Sequence, residues 1–254
     1  MRRHQLAQML IIGAVASAIG IALALAIDWF PTQASSQAKK IDDLFDVLLV
    51  ASVPIFVLVE VVVLFSVWKF RMRPGQELED GAPIHGNTTL EVVWTAIPAI
   101  LMVGLSVYAY VVLRDIEKKP KNEMIVNVHA QQFAWSFEYP QAGGKPIRSD
   151  QLYLEKDRPV EFRVRSDDVI HDFWVPEFRM KIDAVPGITT TYRVTPTRNG
   201  NYPVVCAELC GIGHATMRNT THVISRPRFE QWLAQQRGGT QGGTAVAGAP
   251  GQPG

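Results

Sequence analysis

Three apolar runs, each long enough to cross a bilayer as a helix, decide most of what this chain can become. They are Leu10–Ile27, Val47–Trp68 and Val92–Leu113. A run of about 18 residues or more spans roughly 30 Å of hydrocarbon at 1.5 Å per residue, and a helix satisfies its own backbone there. The second run holds one charge, Glu60, and ends at Lys69, Arg71 and Arg73; the third is bracketed by Glu91 and Arg114. These two read as a transmembrane α-helical hairpin over residues 41–116, with Pro74, Gly75, Gly81 and Pro83 marking the loop between them. The first run follows Arg2 and Arg3 and has small residues at Ala22–Ala26. Residues 1–40 therefore fit an additional N-terminal span or a signal peptide, followed by a linker. Glu60 lies inside a span, where a carboxylate is costly. It reads as a functional or partner-contacting residue, or as a protonated or snorkelling side chain facing another subunit.

Positive charge does not orient the hairpin. Arg2, Arg3, Lys69, Arg71 and Arg73 favour one side, and Lys39, Lys40, Arg114, Lys118, Lys119 and Lys121 fall on the other. Net charge is +1, which gives no strong field for a nucleic acid.

After Pro120 the long runs give way to short alternating ones. Val160–Arg165 alternates apolar and polar residues, and Met124–His129, Thr190–Thr195, Tyr202–Val205 and His222–Ile224 are further strand candidates. Ala142-Gly143-Gly144, Pro186-Gly187 and Asn199-Gly200 punctuate them. The pattern predicts an all-β sandwich or small barrel over 117–237. One helix closes it: Ser225 can cap, Pro227 suits a first turn, and Phe229, Trp232 and Leu233 share a face. Residues 238–254 are Gly, Ala, Thr, Gln and Pro with a single Val, a Gly-rich tail that cannot bury a core and is expected to be disordered.

The chemistry sits in Cys206-Ala-Glu-Leu-Cys210-Gly-Ile-Gly-His214-Ala-Thr-Met217, which follows a predicted strand. Two thiols, an imidazole and a thioether make a soft ligand set, better suited to copper in electron transfer than to magnesium, calcium or structural zinc. Gly211 and Gly213 allow a tight curl. A second histidine would complete the set, and His171, after another predicted strand, is the best placed. A Cys206–Cys210 disulfide would leave His214 and Met217 unexplained; a one-copper blue site needs one cysteine; a zinc site would find Met217 superfluous.

On these residues the chain resembles subunit II of cytochrome c oxidase, over roughly residues 41–236. Further shared features are Trp94-Thr95-x-x-Pro98, Lys181-x-Asp183-Ala184-x-Pro186-Gly187 and the separation of His171 from Cys206. The resemblance implies a cupredoxin-like sandwich on a helical hairpin, placed outside a plasma membrane. It implies two copper ions bridged by Cys206 and Cys210, with His171 and His214 on one copper each. Met217 would be a weak axial ligand on one copper and the Glu208 carbonyl a ligand of the other. The Glu208 side chain would face a magnesium shared with subunit I, and Glu91 would lie near a proton pathway in that subunit. The partners implied are subunit I, subunit III and cytochrome c. The implied reaction passes electrons from cytochrome c to haem in subunit I, where oxygen is reduced to water and protons are pumped.

One stretch departs from the family. In Gln131-Gln132-Phe133-Ala134-Trp135-Ser136-Phe137-Glu138-Tyr139, Phe133 replaces the tryptophan at which electrons arrive, and Trp135 matches the next aromatic of the family pattern. Phe133 and Trp135 are the two candidates for that step, Trp135 being equally a core residue. Glu138, Asp167, Asp168 and Asp172 read as an acidic docking patch or as a solvated surface. The rivals are a tethered copper carrier, for which one anchor would suffice; a quinol oxidase subunit, which typically lacks the copper ligands; and nitrous oxide reductase, which needs a further large domain. No Cys-x-x-Cys-His is present, so no c-type haem is fused here.

Overall fold

In a computed structural model, residues 3–72, 74, 75, 83 and 85–239 are described. Arg2, Arg73, Gly81 and the tail from residue 240 lie outside them. The chain divides into two compact units, one of Met1–Trp29 with Lys40–Asp115 and one of Phe30–Lys39 with the chain from Ile116 onwards.

The first unit is helical. The apolar runs become α1 (Arg3–Ala26), α2 (Ala38–Phe70) and α3 (Thr88–Ile116), all long and apolar enough to span a membrane. Phe56, Leu64, Trp68, Ile100 and Val103 stand exposed along α2 and α3, as lipid-facing side chains do. α1 meets α2 where Gly20 lets Val53 in: a Cβ at Gly20 would lie 2.8 Å from a Val53 methyl. Glu60 is exposed on the α2 surface. Glu91 sits in the first turn of α3, where Asn87 Oδ1 accepts the Leu90 N–H at 3.0 Å and Glu91 Oε1 accepts the Asn87 N–H at 3.3 Å. That reciprocal pair satisfies two of the N–H groups a helix start leaves open.

The second unit is a sandwich of two five-stranded sheets. One runs β3 (Ile147–Ser149), β2 (Ala134–Tyr139), β1 (Met124–Gln131), β5 (Val160–Ser166), β8 (Thr190–Val194). The other runs β4 (Leu152–Glu155), β10 (Arg218–Ile224), β9 (Gly200–Cys206), β6 (His171–Val175), β7 (Met180–Ala184). β1–β5 and β4–β10 pair parallel and the rest antiparallel. β1 alternates as its sequence suggests, burying Met124, Val126, Val128 and Ala130. Phe137, Phe162 and Phe173 fill the interior between the sheets. Tyr139 Oη ties one sheet to the other, donating to the Tyr153 carbonyl at 3.0 Å and accepting its N–H at 2.7 Å. The closing helix is α4 (Arg226–Gly239). The Ser225 carbonyl accepts the Phe229 N–H, and Phe229 and Trp232 are buried.

The linker before α2 belongs to this second unit. Ala34 N–H donates to Glu177 O, Ser36 N–H to Thr195 O, and Thr197 N–H back to Ala34 O, all within 2.8–3.0 Å. Ala34 and Ala38 are fully buried. Ser35 Oγ donates to the Phe178 carbonyl at 2.9 Å and accepts the Ala38 N–H at 3.1 Å. Ser35→Ala should therefore cost about 1–2 kcal/mol, a lost helix-start acceptor plus a carbonyl left unpaired in a buried place. Thermal unfolding of the full chain followed by β-sheet circular dichroism would read it as a lowered midpoint.

Candidate metal centre

The ligand loop is held at one end of the β6–β9 sheet. Phe173 pairs with Cys206 in the β6–β9 ladder, so His171 opens the strand beside the one that Cys206 ends. The two strands stay tied past the ladder through Ala207 N–H to Asp172 O. From Cys206 the chain loops out and returns at Met217, whose carbonyl accepts the Cys206 N–H at 3.2 Å. Between them lie two tight turns, with His214 N–H donating to Gly211 O and Thr216 N–H to Gly213 O.

This folding brings the predicted ligands together. Cys206 Sγ lies 3.9 Å from Cys210 Sγ and 3.9 Å from His171 Nδ1. Cys210 Sγ lies 3.6 Å from His214 Nδ1 and 3.8 Å from Met217 Sδ. The Glu208 carbonyl is 3.2 Å from Cys206 Sγ. His171 and Met217 are fully buried, and Cys206 and Cys210 nearly so. Both cysteines are free thiols, and their sulfurs are far beyond the disulfide bond length of about 2.05 Å. Two metal–thiolate bonds of about 2.3 Å reach as far as about 4.6 Å, so one ion can bind both sulfurs at this separation. Each sulfur also has an imidazole nitrogen beside it. The donor set thus fits two ions sharing a sulfur pair.

Electrostatics point the same way. Burial, followed by the neighbouring Cys206 thiol, pushes the Cys210 thiol up to about 11. Without a cation the Cys210 thiol keeps its proton, and a bound cation would stabilise its thiolate. Asp172 is buried with one oxygen unpartnered. Burial first, then the carboxylates of Asp183 and Glu208, raise it to about 6 against the pull of Lys181. The Glu208 side chain itself is exposed.

The other candidates are placed as follows. Trp135 is a core residue, 3% exposed, with ring centroids 5.3 Å from Phe173 and 6.1 Å from His171. Phe133 is half-buried and lies on the ligand loop: a Cβ at Gly213 would come within 2.5 Å of its ring and one at Gly211 within 3.1 Å. The four acidic residues form no free patch. Glu138 pairs with Arg148 at 3.1 Å, Asp167 lies 3.8 Å from Arg165, and Asp172 is buried. Asp168 is engaged by His171 Nε2 at 2.8 Å and by the N–H groups of Gln132 and Val169, both at 2.6 Å. Desolvation would raise Asp168, but these bonds outweigh it and hold the carboxyl at about 2. The role of Gln132 had no signal in the ligand motif. That of Asp168 had one, its position three residues before His171.

The family model described as cytochrome c oxidase subunit II, transmembrane domain, matches residues 20–112, and that described as the periplasmic domain matches residues 147–224. Cytochrome c oxidase subunit 2 of Thermostichus vulcanus is 32% identical, covering 87% of this chain and 80% of that protein. Subunit 2 of Cereibacter sphaeroides is 30% identical, covering 83% and 80%. The crystal structure of the periplasmic domain of cytochrome oxidase subunit II from Bradyrhizobium japonicum is 26% identical, with a TM-score of 0.44 over 47% of this chain and 96% of that one.

Proposed function

Since the chain belongs to the cytochrome c oxidase subunit II family, we propose that Cys206, Cys210, His171, His214, Met217 and the Glu208 carbonyl hold a binuclear copper centre in it. The chain is a membrane subunit of a haem–copper oxidase, an oxidoreductase, with its sandwich on the outer side. The outer domain accepts electrons from cytochrome c and passes them to haem in subunit I, where oxygen is reduced to water and protons are pumped.

The observation that carries the ligand assignment is the sulfur pair at 3.9 Å with an imidazole Nδ1 beside each sulfur. Two coppers sharing one unpaired electron across the sulfurs would supply one-electron storage with little change in geometry. The residues do the rest. Cys206 and Cys210 would hold the coppers through their sulfurs, His171 and His214 would each add an imidazole nitrogen, and Met217 and the Glu208 carbonyl would be weaker donors. The buried surroundings of His171, Cys206 and Met217 keep water away and hold the ligands still, so little reorganisation accompanies transfer.

Finer roles follow from the same reading. The exposed Glu208 carboxylate would hold a magnesium shared with subunit I, with the Asp172 carboxyl nearby. Phe133, against the loop and partly exposed, is the aromatic at which electrons arrive, and Trp135, next to His171, is the other candidate. Glu91 stands at the mouth of a proton pathway in subunit I, and subunit III completes the partners. Residues 1–40 hold a first span or a signal with its linker, 41–116 the membrane hairpin and 117–237 the copper domain.

The test is copper content and the electron paramagnetic resonance spectrum of the full chain in detergent. Two coppers per chain with one unpaired electron delocalised over both are expected. One copper with an ordinary single-ion spectrum would overturn the centre and favour a tethered copper carrier.

A further inference from the structure

The turn between β1 and β2 crosses the ligand loop and is bonded to both of its walls. On one wall, Asp168 Oδ1 lies 2.8 Å from His171 Nε2. His171 is fully buried, so this carboxylate fixes its ring: with Nε2 carrying the proton, Nδ1 is left facing Cys206 Sγ as a free electron pair. Asp168 is itself held by the Val169 N–H at 2.6 Å and by Ser166 Oγ at 3.2 Å. On the other wall, Gln132 Nε2 donates to the Cys210 carbonyl at 2.6 Å. The backbone N–H of the same glutamine donates to Asp168 Oδ2 at 2.6 Å. The next residue, Phe133, seals the strap by lying against Gly211 and Gly213, where no side chain would fit beside it.

A continuous path therefore runs from His171 through Asp168 and Gln132 to Cys210, from one wall of the site to the other. The geometry points to Gln132 and Asp168 as coupled positioning residues of the metal centre. Asp168 presents the His171 nitrogen, and Gln132 keeps the Cys210 end of the loop closed against the same carboxylate. Neither touches a metal; both act through the ligands they hold. The role in copper tuning rests on the copper reading above, whereas the clasp on the loop does not.

Two measurements on the full chain in detergent separate the two. The first uses no copper. In the metal-free chain Cys210 is 4% exposed, so an alkylating reagent reaches it only when the loop opens. Gln132→Met keeps the length of the side chain and removes the bond, and Gln132 lies at the surface, so the variant folds. Alkylation of Cys210 should become about fivefold faster, the change one neutral hydrogen bond is worth. An unchanged rate overturns the clasp. The second uses the copper-loaded chain. Asp168→Ala should raise the reduction potential, because the His171 imidazole loses its anionic acceptor, and should alter the copper hyperfine pattern. Asp168→Asn keeps an acceptor oxygen and should bring the hyperfine pattern back toward the parent's, also serving if the alanine variant does not fold. A parent-like potential and spectrum in folded Asp168→Ala overturns the positioning of His171. A parent chain that binds fewer than two coppers overturns the copper reading, and the alkylation rates then decide the clasp alone.

Discussion

Cys210→Ser is expected to cut bound copper from two per chain to one or none and to erase the spectrum of an electron shared over two ions. The sulfur of Cys210 has three proposed donors around it, 3.9 Å from Cys206 Sγ, 3.6 Å from His214 Nδ1 and 3.8 Å from Met217 Sδ. A serine oxygen is hard, is not deprotonated at neutral pH in a buried place, and cannot bridge two soft ions. The substitution is small enough to leave the sandwich folded, so the loss is readable as copper per folded chain. Oxygen uptake with reduced cytochrome c in the assembled oxidase should be largely lost, since no other group in the loop offers a second thiolate. A Cys210→Ser chain that still bound two coppers with a delocalised electron would refute the bridging role.

Phe173→Ala is expected to destabilise the chain by about 3–5 kcal/mol, the range for emptying a buried aromatic site. Phe173 is fully buried at the centre of the sandwich, with ring centroids 5.3 Å from Trp135, 5.5 Å from Phe162 and 6.2 Å from Phe137. It also pairs with Cys206 across β6–β9 and stands two residues after His171. The cavity should therefore loosen two ligands as well as the core, and copper should be lost at lower chelator concentration than in the parent chain. Chemical denaturation of the full chain in detergent, with and without copper, measures both effects. A change below about 1 kcal/mol would mean that the two sheets close over the gap.

The candidate site was more legible than the fold because most of the ligands proposed for it are neighbours in sequence. Cys206 to Met217 is one loop, and only His171 had to be brought from elsewhere. Strands with one buried face were readable, as β1, β5, β8 and β9 show. β6 reads His-Asp-Phe-Trp-Val and buries nearly every residue, so no alternation marks it. β4 is four residues long with three of them buried, and β3 is shorter still, so neither offers a period to count. β2 does alternate, burying Trp135, Phe137 and Tyr139, and a period-two reading of those aromatics finds it. The contacts of Gln132 depend on where three separate loops meet, which no local pattern encodes. The acidic residues were visible, but the arginines that answer Glu138 and Asp167 come from neighbouring strands or across a turn.

The stretch Phe30–Lys39, bonded to Glu177, Phe178 and Thr195, has a bearing on maturation. A peptidase cutting between Ala26 and Phe30 would release α1 without breaking any of those bonds. The copper-bearing domain would keep its own hem, and the new amino terminus would begin a few residues from a segment already stitched to a sheet. Secretion machinery that trims the chain and machinery that leaves it whole would thus deliver the same outer domain.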